Sequence, residues 1–412
     1  MDSVKTANVG GHKAPRQPID WDKAINGGGS MNRILAWLSA LAVLGGLIAP
    51  LPRQVPAALE LHSPSAILMD AATGTVLFEK NADEAREPAS VTKIMTLLLV
   101  MEALDSGAIG WEDQVTASAA AAGKGGSQIY LEEGEQLSLD EMLKSVVVSS
   151  ANDCATALAE HVAGSEAAFV ARMNQRAAEL GMEHTHFVNC TGLDDEPEAR
   201  AHLTTARDVA IMSRALLGHE AIRNYTTIWT DTVRNGSFGL ANTNKLVRFY
   251  RGTTGLKTGY TSKAGHCLSA SASREGLELI AVVLGADSST HRFEDAKALL
   301  NWGFAGYALA QPGEGVELAP IPVTLGARET VQPVLENAGP LLLEKAQAAA
   351  LTRELELPEA LEAPVEPGQR IGTLRIRAGE TLLAELPVAA SDGVPKLSLW
   401  QLWLRVLQAV AG

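Results

Sequence analysis

Ser90 and Lys93 form the first pair of residues whose types and spacing could perform chemistry. They lie three positions apart at the predicted start of a helix, so both side chains project from one face. A serine hydroxyl becomes an effective nucleophile when a base removes its proton, and an amine can do so if burial or a neighbouring cation lowers its pKa. The helix N-terminus adds backbone N–H groups beside an anion forming at Ser90. The pair predicts acyl transfer, but a capping serine with a solvated lysine also fits this short pattern.

Two further motifs favour the chemical interpretation. Ser150-Ala151-Asn152 begins 60 residues after Ser90, and Lys257-Thr258-Gly259 begins 107 residues after Ser150. Ser-x-x-Lys, Ser-x-Asn and Lys-Thr-Gly in this order are the motif set of penicillin-binding proteins and serine β-lactamases.

A longer stretch of sequence, residues 61–304, resembles the D-alanyl-D-alanine carboxypeptidases among the low-molecular-weight penicillin-binding proteins. The resemblance is carried by Ser65-Ala66-Ile67-Leu68-Met69-Asp70, Asn81-Ala82-Asp83, Pro88-Ala89-Ser90, Ser150-Ala151-Asn152-Asp153, Ala163-Gly164-Ser165, Thr185-His186-Phe187, Thr205-Ala206-Arg207-Asp208, Asn242-Thr243-Asn244-Lys245-Leu246, residues 257–261, Lys263-Ala264-Gly265 and Trp302-Gly303-Phe304. It implies a serine-type enzyme that removes the terminal D-alanine from peptidoglycan stem pentapeptides and is acylated by β-lactams.

The resemblance implies a role for each catalytic residue. Ser90 is expected to be the acylated nucleophile, Lys93 its general base, and Ser150 the group that passes a proton to the leaving D-alanine. The backbone N–H groups of Ser90 and Tyr260 are expected to form the oxyanion hole. Some family members carry His where Tyr260 stands, but only the main-chain N–H is needed.

Substrate binding is expected from the remaining motif residues. Asn152 would hold the substrate amide, and Gly259 would let the substrate backbone approach its strand. The charge of Lys257 and the hydroxyl of Thr258 suit the terminal carboxylate. Arg292 matches a basic residue that assists this carboxylate in the family, with a surface arginine as the alternative.

Three other functions share part of this pattern. A serine β-lactamase needs fast hydrolysis of its acyl-enzyme, often through a Glu-activated water, but no Glu-x-x-Leu-Asn segment lies between Asn152 and Lys257. A non-catalytic wall-binding protein would not need the intact motifs. A D,D-endopeptidase acting on cross-links shares every catalytic residue, so the sequence does not separate it.

No metal or cofactor is expected. The nine histidines show no ligand spacing such as His-Glu-x-x-His. Cys154, Cys190 and Cys267 fit neither a disulfide framework nor a zinc site and are predicted to be small buried side chains. The net charge of −14 argues against nucleic acid as a partner.

The elements that must position these residues alternate between strand-like and helix-like patterns. Strands are predicted near both ends of residues 61–308, with helices between them, so one mostly antiparallel sheet covered by helices is expected. The resemblance implies the α/β (α+β) fold of the serine β-lactamase and transpeptidase type. Residues 313–390 contain short alternating runs and predict a small β-rich domain.

The chain ends suggest an extracytoplasmic protein. Residues 31–58 contain a basic start, an apolar run and a site for cleavage after Ala57 or Ala58, which is typical of a secretory signal, and residues 1–30 fit a mis-assigned leader. Residues 395–412 place Ser398, Gln401 and Arg405, with Gln408, on a narrow polar stripe of an otherwise apolar helix. Such a helix is expected to lie peripherally on the outer face of the membrane, with docking on the β-rich domain as the alternative.

Overall fold

The computed structural model describes residues 59–195, 197–336 and 339–411. The predicted leader and secretory signal lie outside the described residues. The strands in chain order are β1 (Ser65–Asp70), β2 (Val76–Lys80), β3 (Gln114–Thr116), β4 (Gln136–Ser138), β5 (Thr230–Val233), β6 (Phe238–Ala241), β7 (Thr253–Thr261), β8 (Gly265–Arg274), β9 (Leu277–Ala286), β10 (Tyr307–Ala310), β11 (Ile321–Thr324), β12 (Thr330–Val331), β13 (Pro333–Leu335), β14 (Leu341–Glu344), β15 (Leu351–Glu356), β16 (Leu361–Glu362), β17 (Arg370–Ala378) and β18 (Thr381–Ala390).

The α-helices are short or medium in length, and three of them comprise a single turn of four residues. In chain order they are α1 (Lys93–Asp105), α2 (Ala119–Ala122), α3 (Leu139–Val148), α4 (Asn152–Ala163), α5 (Glu166–Glu179), α6 (Ala206–Leu217), α7 (Arg223–Thr226), α8 (Leu246–Phe249), α9 (Ser289–Gly306), α10 (Lys345–Ala349) and α11 (Leu399–Ala411).

The main sheet has the strand order β2-β1-β9-β8-β7, and each pair of neighbouring strands in it is antiparallel. Alternate residues of β9 enter two different cores, because successive side chains of a strand point to opposite faces. Ile280 and Val282 pack in the core that contains α1 and α6, whereas Ala281 and Val283 pack in the core that contains α9. The sheet is therefore the middle of three layers, which confirms the predicted α/β class.

Helix α1 is the centre of the larger layer. It is buried on nearly all sides, so its sequence shows almost no amphipathic stripe. Its neighbours begin at ordinary caps: Ser138 and Glu141 form a capping box at α3, and the Thr205 hydroxyl accepts the N–H of Asp208 at α6. These caps fix where the connecting loops leave the helices.

The C-terminal strands form two small sheets, β12-β11-β16 and β13-β18-β17-β15, around a core that includes Ile321, Leu374 and Val388. Strand β14 instead pairs with β10, directly after α9. This β-rich part confirms the prediction for residues 313–390 in kind. The runs that predict strands in this part, residues 316–318, 322–325, 372–377 and 381–387, do not include β14 or β15. Arg353 occupies one of the inward-facing positions of β15, and its guanidinium donates to the carbonyls of Gln311 and Pro312. This charged residue interrupts the alternation of apolar and polar residues from which a strand is predicted.

Helix α11 extends from this part with its described side chains exposed. Leu399 is 88% exposed and Trp403 is 52% exposed, which contradicts the alternative of docking on the β-rich domain. Trp400 and Trp403 stack with ring centroids 5.1 Å apart. Among the helices described, none combines the length and apolar character needed to cross a bilayer.

Candidate active site

Ser90 lies in a turn of 3-10 helix, Ala89–Thr92, that leads directly into α1. The sequence predicted a continuous α-helix from Ser90. The structure instead has a 3-10 turn at Ser90, and the α-helix begins at Lys93. Lys93 is the first residue of α1, is fully buried, and places its Nζ atom 3.1 Å from the Oγ atom of Ser90. The hydroxyl of Ser90 is half-buried. The two groups are therefore in direct hydrogen-bond contact.

The amine of Lys93 has two further partners. Its Nζ atom donates to Oδ1 of Asn152 at 2.5 Å and to the carbonyl oxygen of Thr191 at 2.8 Å. Both oxygens can only accept. A neutral amine has two N–H bonds and one lone pair, so these two acceptors leave the lone pair for the hydroxyl proton of Ser90.

Burial is the main cause that sets the charge of this amine. It lowers the pKa of Lys93 from the usual range to about 7, against the opposing effects of Cys190 and Asp153. A substantial fraction of Lys93 is then neutral near pH 7. Such an amine can act as a general base at neutral pH.

Ser150 and Asn152 lie at the junction of α3 and α4. Ser150 is 4% exposed and has a positive φ of 64°, which turns the chain sharply before α4 begins. Asn152 is held from two sides: its Nδ2 atom donates to the carbonyl of Gly125 at 2.7 Å, and its backbone N–H donates to the carbonyl of Ser127 at 2.7 Å. These bonds orient the amide so that its oxygen faces Lys93.

Strand β7 brings the third motif to the same place. It is the edge strand of the main sheet, and a Cβ atom at Gly259 would lie 2.8 Å from the carbonyl oxygen of Pro88 and 3.1 Å from the backbone nitrogen of Ser90. Only glycine allows so close an approach. The free edge of β7 therefore runs beside the Ser90 turn.

Lys257 and Thr258 precede Gly259 on this strand and are both buried. The Nζ atom of Lys257 donates to the carbonyl of Thr258 at 2.9 Å, and the Thr258 hydroxyl donates to the Thr243 hydroxyl at 2.7 Å. Burial first, and then the charges of Lys93 and Arg292, lower the pKa of Lys257 well below its usual range. An anion bound at this wall would favour the charged form of Lys257.

Arg292 is a buried residue of α9 and is 8% exposed, so the alternative of a surface arginine is wrong. Its Nη1 atom donates to the carbonyls of Gly259 at 2.9 Å and Cys267 at 3.3 Å. Burial lowers its pKa. Arg292 thus supports β7 and places its positive charge near Lys257.

Tyr260 directs its ring away from the core. The side chain is 59% exposed and stacks on His266, with ring centroids 4.3 Å apart and an interplanar angle of 25°. The Tyr260–His266 pair is part of the β7–β8 register. The backbone of Tyr260 thus follows Gly259 along β7, on the strand beside Ser90.

A segment that the sequence did not predict completes the site. Thr191 supplies the carbonyl that binds Lys93, and Gly192 follows with a φ of +82°. A Cβ atom at Gly192 would lie 1.8 Å from the carbonyl oxygen of Ala89. The segment therefore packs directly under the Ser90 turn, and the Cys190-Thr191-Gly192 sequence gave no usable motif.

His202 supports the same turn. The N–H of Val188 donates to its Nδ1 atom, so Nε2 carries the proton and donates to the Thr92 hydroxyl at 2.9 Å, which in turn donates to the carbonyl of Ala89. Burial, followed by the charges of His186 and Lys93, lowers the pKa of His202 to about 4. The imidazole is thus neutral and holds the turn as a fixed donor.

Glu166 links the two loops that contact the catalytic groups. Its carboxylate accepts the backbone N–H and the thiol of Cys190, each at 3.2 Å, and pairs with Lys124 at 2.7 Å. Lys124 precedes the Gly125 carbonyl that binds Asn152, and Cys190 precedes the Thr191 carbonyl that binds Lys93. A cavity of about 310 Å³ lies between these loops.

All three cysteines are buried, as predicted, and none forms a disulfide. Burial raises the pKa of the Cys154 thiol well above its usual value and that of Cys267 to about 11. Cys154 is fully buried, so a thiol accessible to reagents beside Asn152 is excluded.

Comparisons with known proteins agree with this arrangement. Residues 52–288 match the family described as "D-alanyl-D-alanine carboxypeptidase", and residues 307–396 match "Penicillin-binding protein 5, C-terminal domain". The chain is 40% identical over 342 residues to D-alanyl-D-alanine carboxypeptidase DacF of Bacillus subtilis, which covers 81% of this chain and 86% of that relative.

Two solved structures show the same fold. Penicillin-binding protein 6B from Escherichia coli is 32% identical with a TM-score of 0.66, covering 81% of this chain and 97% of that one. Penicillin-Binding Protein D2 from Listeria monocytogenes, solved in its ampicillin-bound form, is 32% identical with a TM-score of 0.55, covering 60% and 99%.

Proposed function

The chain belongs to the D-alanyl-D-alanine carboxypeptidase family and is a serine-type D-Ala-D-Ala carboxypeptidase, and from this premise we propose that Ser90 is its nucleophile. The supporting observation is the contact of 3.1 Å between Ser90 Oγ and Lys93 Nζ, an amine whose pKa is about 7. The neutral amine takes the hydroxyl proton as Oγ attacks the carbonyl carbon between the last two D-alanines of a stem pentapeptide.

Acylation forms the bond from Oγ to the carbonyl carbon and breaks the C–N bond to the terminal D-alanine. The N–H groups of Ser90 and Tyr260 stabilise the oxyanion of the intermediate, and loss of one such donor typically costs about 3–4 kcal/mol. Ser150 relays a proton to the leaving amine. Water then attacks the ester, regenerates Ser90 and releases a tetrapeptide.

Substrate recognition uses the edge of β7 and the positive charge behind it. The extended stem peptide lies along the free edge of β7, which the lack of a side chain at Gly259 allows to approach the Ser90 turn. Lys257, Thr258 and Arg292 receive the terminal carboxylate, and Asn152 holds the substrate amide. β-Lactams acylate Ser90 because their strained amide and carboxylate take the same positions.

Release of D-alanine from diacetyl-Lys-D-Ala-D-Ala tests this proposal. We expect release by the wild-type enzyme and by Ser106→Ala, which alters an exposed serine at the far end of α1, and no release by Ser90→Ala. Equal release by wild type and Ser90→Ala would reject the mechanism. The rate of cleavage of a cross-linked dimeric muropeptide, measured in parallel, separates carboxypeptidase from endopeptidase activity. The comparisons do not favour endopeptidase activity.

We also propose a function for each segment of the chain. Residues 61–308 form the catalytic domain, residues 313–390 the β-rich domain, and residues 395–412 a membrane-attaching helix, while residues 31–58 direct secretion. The proposal for the helix rests on the exposed tryptophans of α11. The enzyme then acts outside the cytoplasmic membrane, peripherally attached to its outer face.

Binding to anionic vesicles tests the attachment. We expect the chain to bind, and truncation before residue 395 or the double change Trp400→Ser and Trp403→Ser to abolish binding. Trp111→Ser is the matched control, because Trp111 is 45% exposed outside α11. Equal binding by the full and truncated chains would refute the attachment while leaving the D-alanine assay unaffected.

A further inference from the structure

His62, His291 and Glu294 lie together on the surface, away from the three catalytic motifs in sequence. Each offers one ligand atom, and these atoms all lie within 4.8 Å of one another. His62 precedes β1, whereas His291 and Glu294 are spaced i, i+3 on α9. The two imidazole rings meet at an angle of 65° with centroids 3.9 Å apart. None of these three side chains has a role in the proposed reaction.

The backbone of His62 is fixed beside α9 by a neighbour of Glu294. The buried carboxylate of Asp295 accepts the backbone N–H of His62 at 3.1 Å, and also the backbone N–H and hydroxyl of Ser63, each at 2.6 Å. These bonds join residues more than 230 positions apart in sequence. These hydrogen bonds to Asp295 therefore hold His62 beside α9.

The second imidazole is oriented by Asp287. Its Oδ1 atom is hydrogen-bonded to Nδ1 of His291, four residues later, and Asp287 itself precedes α9. Nδ1 therefore carries the proton, and Nε2 keeps its lone pair. A carboxylate that orients a histidine in this way is the usual second partner of a metal-bound imidazole. Ser288 additionally caps the backbone N–H of His291 and sets the first turn of α9.

We propose that His62, His291 and Glu294 bind a divalent transition-metal ion, with Zn²⁺ as the representative ion. Two imidazole nitrogens and one carboxylate oxygen suit Zn²⁺, Ni²⁺ or Cu²⁺, whereas Mg²⁺ and Ca²⁺ prefer oxygen ligands. Tetrahedral coordination at about 2.1 Å brings ligand atoms to roughly 3.4 Å from one another. The side chains of His62 and Glu294 are exposed, so rotation about their side-chain bonds can close this gap while His291 stays in place, and water fills the fourth position.

The bound ion would cross-link the segment before β1 to the first turns of α9. Arg292 follows His291 directly and donates to the carbonyl of Gly259 on β7. The site thus adjoins the support of the catalytic wall, but its ligands do not contact Ser90, Lys93 or Asn152 through any described hydrogen bond. The expected effect of the metal is on stability.

Titration of the metal-stripped full chain with ZnCl₂, followed by calorimetry, tests the site. We expect one equivalent to bind and the melting temperature to rise by at least about 2 °C at saturation. Binding should weaken at least tenfold in His62→Ala, His291→Ala and Glu294→Gln. His219→Ala is the matched control, because His219 also pairs with an aspartate, Asp105, but has no second histidine in such a cluster among the described residues.

Co²⁺ gives a second readout, since its visible absorption reports the coordination geometry and ligand type. Acylation of each variant by a fluorescent penicillin checks that it is folded. No binding by the wild type, or binding that survives in both His62→Ala and His291→Ala, would overturn the proposal. Loss of binding in His219→Ala with full binding in His291→Ala would overturn it as well.

Discussion

The amide oxygen of Asn152 lies 2.5 Å from the Nζ atom of Lys93, although the two residues are 59 positions apart. This contact connects the second motif to the first and decides which way the lysine lone pair can point. With one N–H directed at Asn152 and another at the Thr191 carbonyl, a neutral Lys93 can accept a proton only from Ser90. The arrangement makes proton removal from Ser90 sensitive to small changes around the amine.

Acylation should depend on pH through Lys93. The base is the neutral amine, so the rate should rise as pH increases through about 7 and level off above it. Stopped-flow acylation by a fluorescent penicillin between pH 5 and 9 measures the profile. Lys93→Ala should lower the plateau rate by about 10²–10⁴-fold, while Lys345→Ala, at an exposed lysine of α10, should change nothing. A flat wild-type profile would contradict the assignment of Lys93 as base.

Asn152→Asp should move this profile. An ionised carboxylate beside Lys93 favours the charged ammonium and should raise its pKa, shifting the midpoint upward by at least about one pH unit. It also replaces the amide donor to the Gly125 carbonyl with an acceptor, so the free energy of unfolding should fall by about 1–3 kcal/mol. Asn235→Asp places the same charge on an exposed hairpin residue and serves as control. An unchanged midpoint in Asn152→Asp would mean that Asn152 does not influence the base.

Gly192→Ala should disrupt the Ser90 turn. The new methyl group would lie 1.8 Å from the carbonyl oxygen of Ala89, and the positive φ adds backbone strain. We expect a loss of at least about 3 kcal/mol in the free energy of unfolding and a large drop in acylation rate. Gly181→Ala separates the two effects, because Gly181 also has a positive φ but would meet no atom within 4 Å. Similar losses in both variants would show that strain, not the contact, is responsible.

The sequence predicted the parts of the site in which a particular type of side chain does the chemistry. Ser90, Lys93, Asn152 and Lys257 were found because their order and spacing form a known motif set, and the family resemblance implied a strand for the third motif. The structure places Lys257 on β7 and Asn152 at the first turn of α4. Regular periodicity likewise predicts helices over residues 139–148 and 166–180, which match α3 and α5 to within one residue at each end.

The parts that escaped prediction are main-chain groups and distant pairs. The carbonyl of Thr191 binds Lys93 from 98 positions away, and any residue type can supply a carbonyl. Gly192 is required by a contact with Ala89 that no local pattern reveals. His62 and His291 are 229 positions apart, so no spacing rule for metal ligands applies to them. Such features appear only once the chain is folded.

Glu166 should act as a positioning residue for both loops. Glu166→Ala removes the acceptor of the Cys190 N–H and the partner of Lys124, so we expect the unfolding free energy to fall by about 1–3 kcal/mol. The midpoint of the acylation profile should also shift, because the Thr191 carbonyl that binds Lys93 loses its support. Glu166→Gln keeps an acceptor and should restore most of the rate. Glu179→Ala, at the exposed end of α5, should stay within about 0.5 kcal/mol of wild type. Lost stability with an unmoved midpoint would indicate a purely structural role.

Lys257 should discriminate a carboxylate from an amide at the substrate terminus. Its buried amine lies near Lys93 and Arg292, which disfavour its charged form, and a substrate carboxylate would favour that form. Lys257→Ala should lower kcat/KM for a D-Ala-D-Ala acid by about 10–100-fold, which corresponds to a charged hydrogen bond of about 1.5–3 kcal/mol. The same peptide with a C-terminal amide carries no charge for Lys257 to bind and should lose little, so the ratio of kcat/KM for the acid to that for the amide should fall.

Two variants separate charge from packing in this experiment. Lys257→Arg keeps the positive charge and should retain part of the preference for the acid. Lys263→Ala removes an exposed lysine just beyond the same strand, one that donates to the carbonyl of Asp194, and should leave the ratio unchanged. Equal losses on acid and amide in Lys257→Ala would mean that Lys257 supports the fold of β7 rather than the recognition of the carboxylate, because a structural defect would affect both substrates alike.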